Sequence, residues 1–224
     1  MITAMIEIST SLLNIERGKE AETILNLEKA KTDYFHIDVM DGKFVVKNTY
    51  KRMMEISAYI KRISNLPQDV HLMVENLKFA INDFIALEPN IITFHLEACK
   101  DDAEVYNIIN TIKENSIKVG IAIKPETPVE RVKKFLPFVH LCLIMTVEPG
   151  KGGQTLIKDM IYKIQELKNY VYDKGLEIDI EADGGINLAT YEKVKNAGAN
   201  ILVSGTAILK ANNYRDIIDE MRGF

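Results

Sequence analysis

The chain has only two cysteines, Cys99 and Cys142, among 224 residues. They lack CxxC spacing and sit in hydrophobic or mixed surroundings, which excludes a zinc ribbon or a disulfide framework and leaves two buried thiols as the expectation. Basic clusters are missing as well. With a formal net charge of -4, no lysine or arginine stripe offers the electrostatic footprint of a nucleic-acid binder. No stretch approaches the roughly 18 consecutive apolar residues of a membrane helix, and the N-terminus has no basic segment followed by an apolar run. A soluble cytoplasmic protein without nucleic-acid or membrane partners is therefore expected. Long linkers and low-complexity tracts are also lacking, so residues 1–224 read as one folded unit. The composition, 47% hydrophobic and 27% charged, is that of a chain able to bury a core and argues against disorder.

What the sequence does contain is an alternation. Short β-branched runs recur near Met5–Thr10, Asp33–Val39, Asp69–Val74, Asn90–Leu96, Lys118–Ile123, Val139–Thr146, Glu177–Asp183 and Asn200–Ser204. Amphipathic stretches follow each of them, at Glu16–Ala30, Lys51–Ile63, Leu77–Leu87, Asp102–Glu114, Val129–Phe135, Leu156–Asp173, Leu188–Asn196 and Tyr214–Arg222. Eight such repeats predict an α/β fold, a single closed (β/α)8 or TIM barrel, rather than an open doubly wound sheet. Within several strands the two faces differ. Phe35, Ile37 and Val39 are apolar while His36 and Asp38 are polar; Val70, Leu72 and Val74 oppose Asp69 and His71; Ile180 and Ala182 oppose Glu181 and Asp183. The aliphatic parity must meet the helices, which turns the polar parity into the barrel.

Barrel enzymes carry their chemistry at the C-terminal ends of the strands. The inward residues there are His36, Asp38, His71 and Asp183. One inward histidine is ordinarily a hydrogen-bonded core residue. Two imidazoles and two carboxylates gathered together are costly to bury and call for a cation, and their nitrogen and oxygen donors suit one divalent ion. Zinc is favoured, and iron, manganese or cobalt is compatible with the same donors. His95 and Glu97 also face inward and are expected in a supporting hydrogen-bonding role, while His140 lies on the other parity, away from the site. Glycine-rich turns follow strands six, seven and eight: Gly150-Lys151-Gly152-Gly153, Gly184-Gly185 and Gly205-Thr206. One glycine run is usually only a turn. Three in succession at these strands read as a phosphate cradle, in which main-chain N–H groups approach an anion closely.

The segments "ISTSLL" (Ile8–Leu13), "HIDVMDGKFV" (His36–Val45), "DVHLMV" (Asp69–Val74), "ITFHLEA" (Ile92–Ala98), "MTVEPGKGGQ" (Met145–Gln154), "DGGIN" (Asp183–Asn187) and "SGTAI" (Ser204–Ile208) resemble the ribulose-phosphate 3-epimerase family over nearly the whole chain. The resemblance implies a ribulose-phosphate-binding barrel, with His36, Asp38, His71 and Asp183 on the metal, Asp38 as base and Asp183 as acid. It also implies that Ser11 and His71 contact substrate oxygens, that Met40, Met73 and Met145 line the reacting centre, and that Gly152, Gly153, Gly185, Gly205 and Thr206 cradle the phosphate. Packing alone would equally account for the methionines. A homo-oligomer is implied too. Lys151 stands where the family usually has phenylalanine, and "FVVKNTYKRM" lacks the proline and asparagine that usually follow the second-strand motif. Lys151 is then either a point charge for the phosphate or a solvated loop residue.

The reaction so implied is inversion at C3 of a ketose phosphate such as D-ribulose 5-phosphate, through an enediolate and without a redox cofactor. D-Allulose 6-phosphate is the alternative substrate. A decarboxylase or aldolase on a related barrel fits less well, because the Asp-x-Lys-x-x-Asp spacing is missing after strand two and Lys43 falls in the wrong register. A phosphosugar-binding barrel without turnover would be expected to have lost an aspartate or a histidine ligand, and all four are present.

Overall fold

Eight short parallel strands pair in chain order and close into a ring when β8 joins β1. The structure, a computed structural model, describes residues 5–223; the ends of the expected 1–224 unit, residues 1–4 and 224, lie outside them. The strands are β1 (Glu7–Ser11), β2 (Tyr34–Met40), β3 (Gln68–Met73), β4 (Ile91–His95), β5 (Lys118–Ile123), β6 (Leu141–Met145), β7 (Asp179–Asp183) and β8 (Ile201–Ser204). The helices are α1 (Glu20–Lys29), α2 (Tyr50–Ile63), α3 (Leu77–Ile85), α4 (Asp102–Glu114), α5 (Met160–Asp173), α6 (Tyr191–Ala197), α7 (Thr206–Leu209) and α8 (Tyr214–Arg222).

Each helix forms for legible reasons. In α4 the Asp101 side chain caps the first turn by accepting from Glu104 N, and Val105, Ile108, Ile109 and Ile112 make one buried stripe at helical spacing. In α2 the stripe is Met53, Ile56, Ser57 and Ile60, with Lys61 and Arg62 in the last turn, where cations suit the helix dipole. These stripes meet the aliphatic parity of the strands. The main core, containing Phe35, Ile37, Phe94 and Phe84, therefore lies between ring and helices. Inside the ring, Leu141, Leu143, Met145, Ile91 and Ile201 fill one half with hydrocarbon. The other half, next to β1, β2, β3 and β7, is polar.

Two local expectations fail. No helix forms over Val129–Phe135; two 3₁₀ turns, Val129–Arg131 and Leu136–Phe138, take its place. Pro137 has no N–H to donate, its ring clashes with the carbonyl of Lys133, and it pushes Leu136 away from α geometry, while Pro128 bounds the other end. The amphipathic pattern was nevertheless real, because Val129, Val132, Phe135 and Leu136 are all buried. The second difference is α7, a single helical turn directly after the Gly205-Thr206 segment. Helices α1, α5 and α6 also begin later than their apolar patterns, at Glu20, Met160 and Tyr191.

Candidate active site

Strand register sets the charged cluster. His71 of β3 lies beside Asp38 of β2, and Asp183 of β7 ends its strand beside Met145 of β6. Strands β2 and β7 are separated by β1 and β8, so their carboxylates reach the barrel mouth from nearly opposite walls. Asp38 Oδ1 lies 3.4 Å from His36 Nε2 and 3.5 Å from His71 Nδ1. Asp183 Oδ2 lies 4.0 Å and 3.6 Å from the same two nitrogens. The four ligand atoms fall within 4.8 Å of one another.

These separations are too long for good hydrogen bonds, and His36 Nε2 and His71 Nδ1 have no hydrogen-bond partner although both rings are fully buried. A buried nitrogen left so costs about 1–3 kcal/mol. Four donors at bond lengths of about 2.0–2.1 Å around a tetrahedral ion would stand about 3.3–3.5 Å apart. The observed spacing is close to that, so the residues fit a divalent cation. The electrostatics agree. Burial pushes Asp38 upward, but His36 and His71 outweigh it and hold the carboxyl well below its ordinary range. Burial disfavours a charge on His36, yet Asp69 and Asp38 outweigh it and raise the imidazole, and His71 is raised in the same way with Asp183 and Asp38 as partners. The same carboxylates that favour positive charge on the imidazoles would favour a bound cation.

Beneath the cluster lie groups that sequence reasoning noted only as inward-facing. Asp69 Oδ2 is 2.6 Å from His36 Nδ1 and also accepts from Ser9 Oγ at 3.1 Å. Glu181 lies 3.7 Å from His36 Nδ1 and is fully buried, and neither of its carboxyl oxygens has a hydrogen-bond partner. Burial first, then the charge of Asp69, drives its pKa well above the ordinary range. His36, Asp69 and Glu181 form a second close trio. Asp69 already occupies His36 Nδ1, so this trio supports the first cluster from below. The signal was available, since each carboxylate sits two residues before a named ligand on the same strand face.

His95 and Glu97 do support the site. His71 Nε2 lies 3.0 Å from His95 Nε2, and His95 Nδ1 lies 3.0 Å from Glu97 Oε2. His140 is remote, accepting from Val119 N at the opposite end of the barrel. Of the thiols, Cys142 is buried as expected but Cys99 is only half-buried, because it leaves the turn after β4 toward the surface. Burial pushes both to about 12.

Above the cluster opens a cleft of about 370 Å³. Ser11, Asp38, Met40, Met73, Met145, Asp183, Gly150, Lys151, Gly152, Gly153, Gly184, Gly185, Gly205 and Thr206 all line it, with His36 and His71 below. Ser11 donates to Asp38 Oδ2 at 2.7 Å and fixes that carboxylate. Glycine is required at the β7 turn. Gly184 and Gly185 have φ of +123° and +69°, and a Cβ at Gly185 would stand 2.5 Å from the backbone N of Leu156. The β7 turn therefore packs backbone to backbone against the Gln154–Leu156 segment. Sequence reasoning passed over Asn14, Gln154 and Lys210. Asn14 donates to Thr206 Oγ1 at 3.2 Å, and Gln154 ties the loop to the carbonyls of Glu148 and Lys151. Lys210 lines the cleft from the end of α7, and of the three Asn14 is placed by a contact between loops, which no local pattern shows.

Fold and site together define a TIM-barrel enzyme with its charged groups gathered where strands β2, β3 and β7 end. The chain belongs to the ribulose-phosphate 3-epimerase family, whose model matches residues 7–209. It is an isomerase of the carbohydrate-epimerase type. Ribulose-phosphate 3-epimerase of Methanocaldococcus jannaschii is 38% identical over 218 residues, covering 97% of this chain and 90% of that protein. The Bacillus subtilis ribulose-phosphate 3-epimerase is 37% identical over 98% of this chain and 99% of its own. Among solved structures, 3-hexulose-6-phosphate synthase from Salmonella typhimurium superposes with a TM-score of 0.68 at 15% identity, covering 97% of both chains, a likeness of fold alone. No helix among the described residues is long and apolar enough to cross a membrane.

Proposed function

We propose that the protein interconverts D-ribulose 5-phosphate and D-xylulose 5-phosphate by moving protons at C3 between two carboxyl groups. The observation that carries this reading is the convergence of Asp38 and Asp183, from opposite walls of the ring, on one pair of buried imidazoles. Inversion next to a carbonyl requires a proton to leave one face of the carbon and another to arrive on the opposite face. Asp38, as the carboxylate oriented by Ser11, takes the C3 proton; the C–H electron pair moves toward the C2 carbonyl and gives an enediolate. Asp183, on the far wall, returns a proton to the other face of C3. In the reverse direction the two exchange roles.

His36, Asp38, His71 and Asp183 would hold one divalent ion, with zinc favoured by the donor set. When bound, such an ion supplies Lewis acidity for the negative charge that develops on the substrate oxygens, worth several kcal/mol. Ser11 orients Asp38 and lies within reach of the sugar. Met40, Met73 and Met145 are buried and neutral, and offer the flat intermediate a polarisable wall that donates no proton. Main-chain N–H groups of Gly152, Gly153, Gly185, Gly205 and Thr206, with the neighbouring Gly150 and Gly184 shaping the turns, cradle the phosphate. The same reading makes the enzyme cytoplasmic and a homo-oligomer.

Proton exchange at C3, followed by NMR in D2O, tests the reading, with ribulose 5-phosphate and allulose 6-phosphate offered separately. Deuterium should enter C3 as the pentose phosphate epimerises. Epimerisation without solvent exchange would overturn the proton-transfer scheme, and a higher kcat/KM for allulose 6-phosphate would reassign the substrate.

Lys151 is exposed at the rim of the same cleft, and we infer that its ammonium adds a point charge to the phosphate site. Lys151→Ala should raise KM several-fold, leave kcat nearly unchanged, and flatten the dependence of KM on salt. A KM equal to that of the parent enzyme at low ionic strength would return Lys151 to the status of a solvated loop residue.

A further inference from the structure

Each imidazole of the cluster turns one nitrogen toward Asp38 and Asp183 and the other toward a buried partner, and a neutral imidazole carries a single proton. For His36 the far nitrogen is Nδ1, 2.6 Å from Asp69 Oδ2. A carboxylate only accepts, so Nδ1 keeps the proton and Nε2 presents its lone pair to the cluster.

For His71 the far nitrogen is Nε2, and its partner at 3.0 Å is another imidazole nitrogen, His95 Nε2. That contact by itself is ambiguous, because either ring can donate. The ambiguity is resolved one group further out. His95 Nδ1 lies 3.0 Å from Glu97 Oε2, and the other oxygen of Glu97 accepts the backbone N–H of Lys124 at 2.8 Å. A carboxylate so placed keeps the His95 proton on Nδ1. His95 Nε2 is then an acceptor, His71 donates from Nε2, and the lone pair of His71 Nδ1 faces Asp38 and Asp183.

We propose that Glu97 and His95 are positioning residues that select the tautomer of His71 and so make Nδ1 its metal-binding atom. This rests on reading the cluster as a divalent-metal site. Local structure supplies the geometry, since the 3₁₀ turn Leu96–Ala98 directly after β4 folds Glu97 back onto the ring of His95. Packing keeps solvent from competing. His95 is fully buried and meets His71 edge to edge, with ring centroids 5.0 Å apart and planes inclined by 27°; Phe44 lies 5.0 Å away, and Lys124 Nζ sits 4.2 Å over the Phe44 ring. The two metal-binding histidines thus present opposite ring nitrogens, each fixed by a buried carboxylate: Asp69 directly, Glu97 through a second imidazole.

Glu97→Gln keeps the shape but reverses the polarity of the chain. Its single amide oxygen is taken by the Lys124 N–H, which leaves the NH2 facing His95 Nδ1. His95 must then carry its proton on Nε2 and donate to His71, and the His71 proton moves to Nδ1, pointing into the cluster. His95→Gln preserves the polarity, since its amide oxygen accepts from His71 Nε2 and its NH2 donates to Glu97.

The experiment is chelator competition for zinc(II) on purified wild-type, Glu97→Gln and His95→Gln proteins, with circular dichroism to check the fold and NMR of 15N-histidine-labelled, zinc-loaded wild type. Expected are a zinc dissociation constant about 10–100-fold weaker for Glu97→Gln, a value within a few-fold of wild type for His95→Gln, and protons on His71 Nε2 and His95 Nδ1 in the spectra. Unchanged affinity in Glu97→Gln, equal losses in both variants, or a His95 proton on Nε2 in the wild type would each overturn the inference. Zinc uptake by the wild type separates the two levels: a parent protein that takes up no zinc defeats the metal-site reading itself, and this inference with it.

Discussion

Asp183→Asn, and separately Asp38→Asn, should lower kcat for epimerisation by about 10²–10⁴-fold, the range typical of losing a positioned proton carrier. Asparagine matches aspartate in shape and retains one carbonyl oxygen, so Ser11 can still donate to residue 38 and the ring need not repack. What it cannot do is take up or release a proton. The loss should therefore appear in turnover with little change in thermal stability, and each variant should lose inversion while the opposite face remains served. With Asp38 intact, Asp183→Asn should still wash solvent deuterium into C3 of one epimer without converting it to the other. Both residues also belong to the cation cluster, so zinc content must be measured alongside rate to separate proton transfer from metal loss. Near-normal turnover in either purified, metal-replete variant would refute the two-carboxylate scheme.

Exhaustive chelation should abolish activity, and one equivalent of a divalent ion should restore it. Several kcal/mol of charge stabilisation, at about 1.4 kcal/mol per tenfold, corresponds to a loss of roughly 10²–10⁴-fold or more in kcat. The metal-free protein should also melt at a lower temperature, because an ion that binds only the folded chain stabilises it by mass action. His36 Nε2 and His71 Nδ1, buried and without hydrogen-bond partners, are the reason to expect both effects. Reconstitution with zinc, iron, manganese and cobalt in turn, followed by elemental analysis of protein purified without added metal, identifies the native ion. Full activity in protein shown by elemental analysis to be metal-free would end this account of the cluster.

Much of the site was legible before folding, because side-chain direction in a strand is a local property. Alternation alone turned His36, Asp38, His71 and Asp183 inward, and the glycines after strands six to eight marked where backbone could approach an anion. The fifth helix was misread for the opposite reason. The apolar spacing over Val129–Phe135 describes a buried face accurately, but the backbone limits set by Pro128 and Pro137 decide that 3₁₀ turns form it. Asp69 and Glu181 show a third case. Their direction was readable and their contacts were not, since pairing Asp69 with His36 depends on the register of β3 against β2.

By itself, then, the chain determined its eight-fold alternation, the inward and outward faces of its strands, and the residue types at their C-terminal ends, all of which follow from short-range stereochemistry. Only closure of the ring between β1 and β8 decided that Asp38 and Asp183, far apart in sequence, stand within reach of the same two imidazoles. The tautomer of His71 likewise depends on contacts linking β3, β4 and the loop after β5. Such contacts are set by strand register and barrel curvature, and no local pattern encodes them.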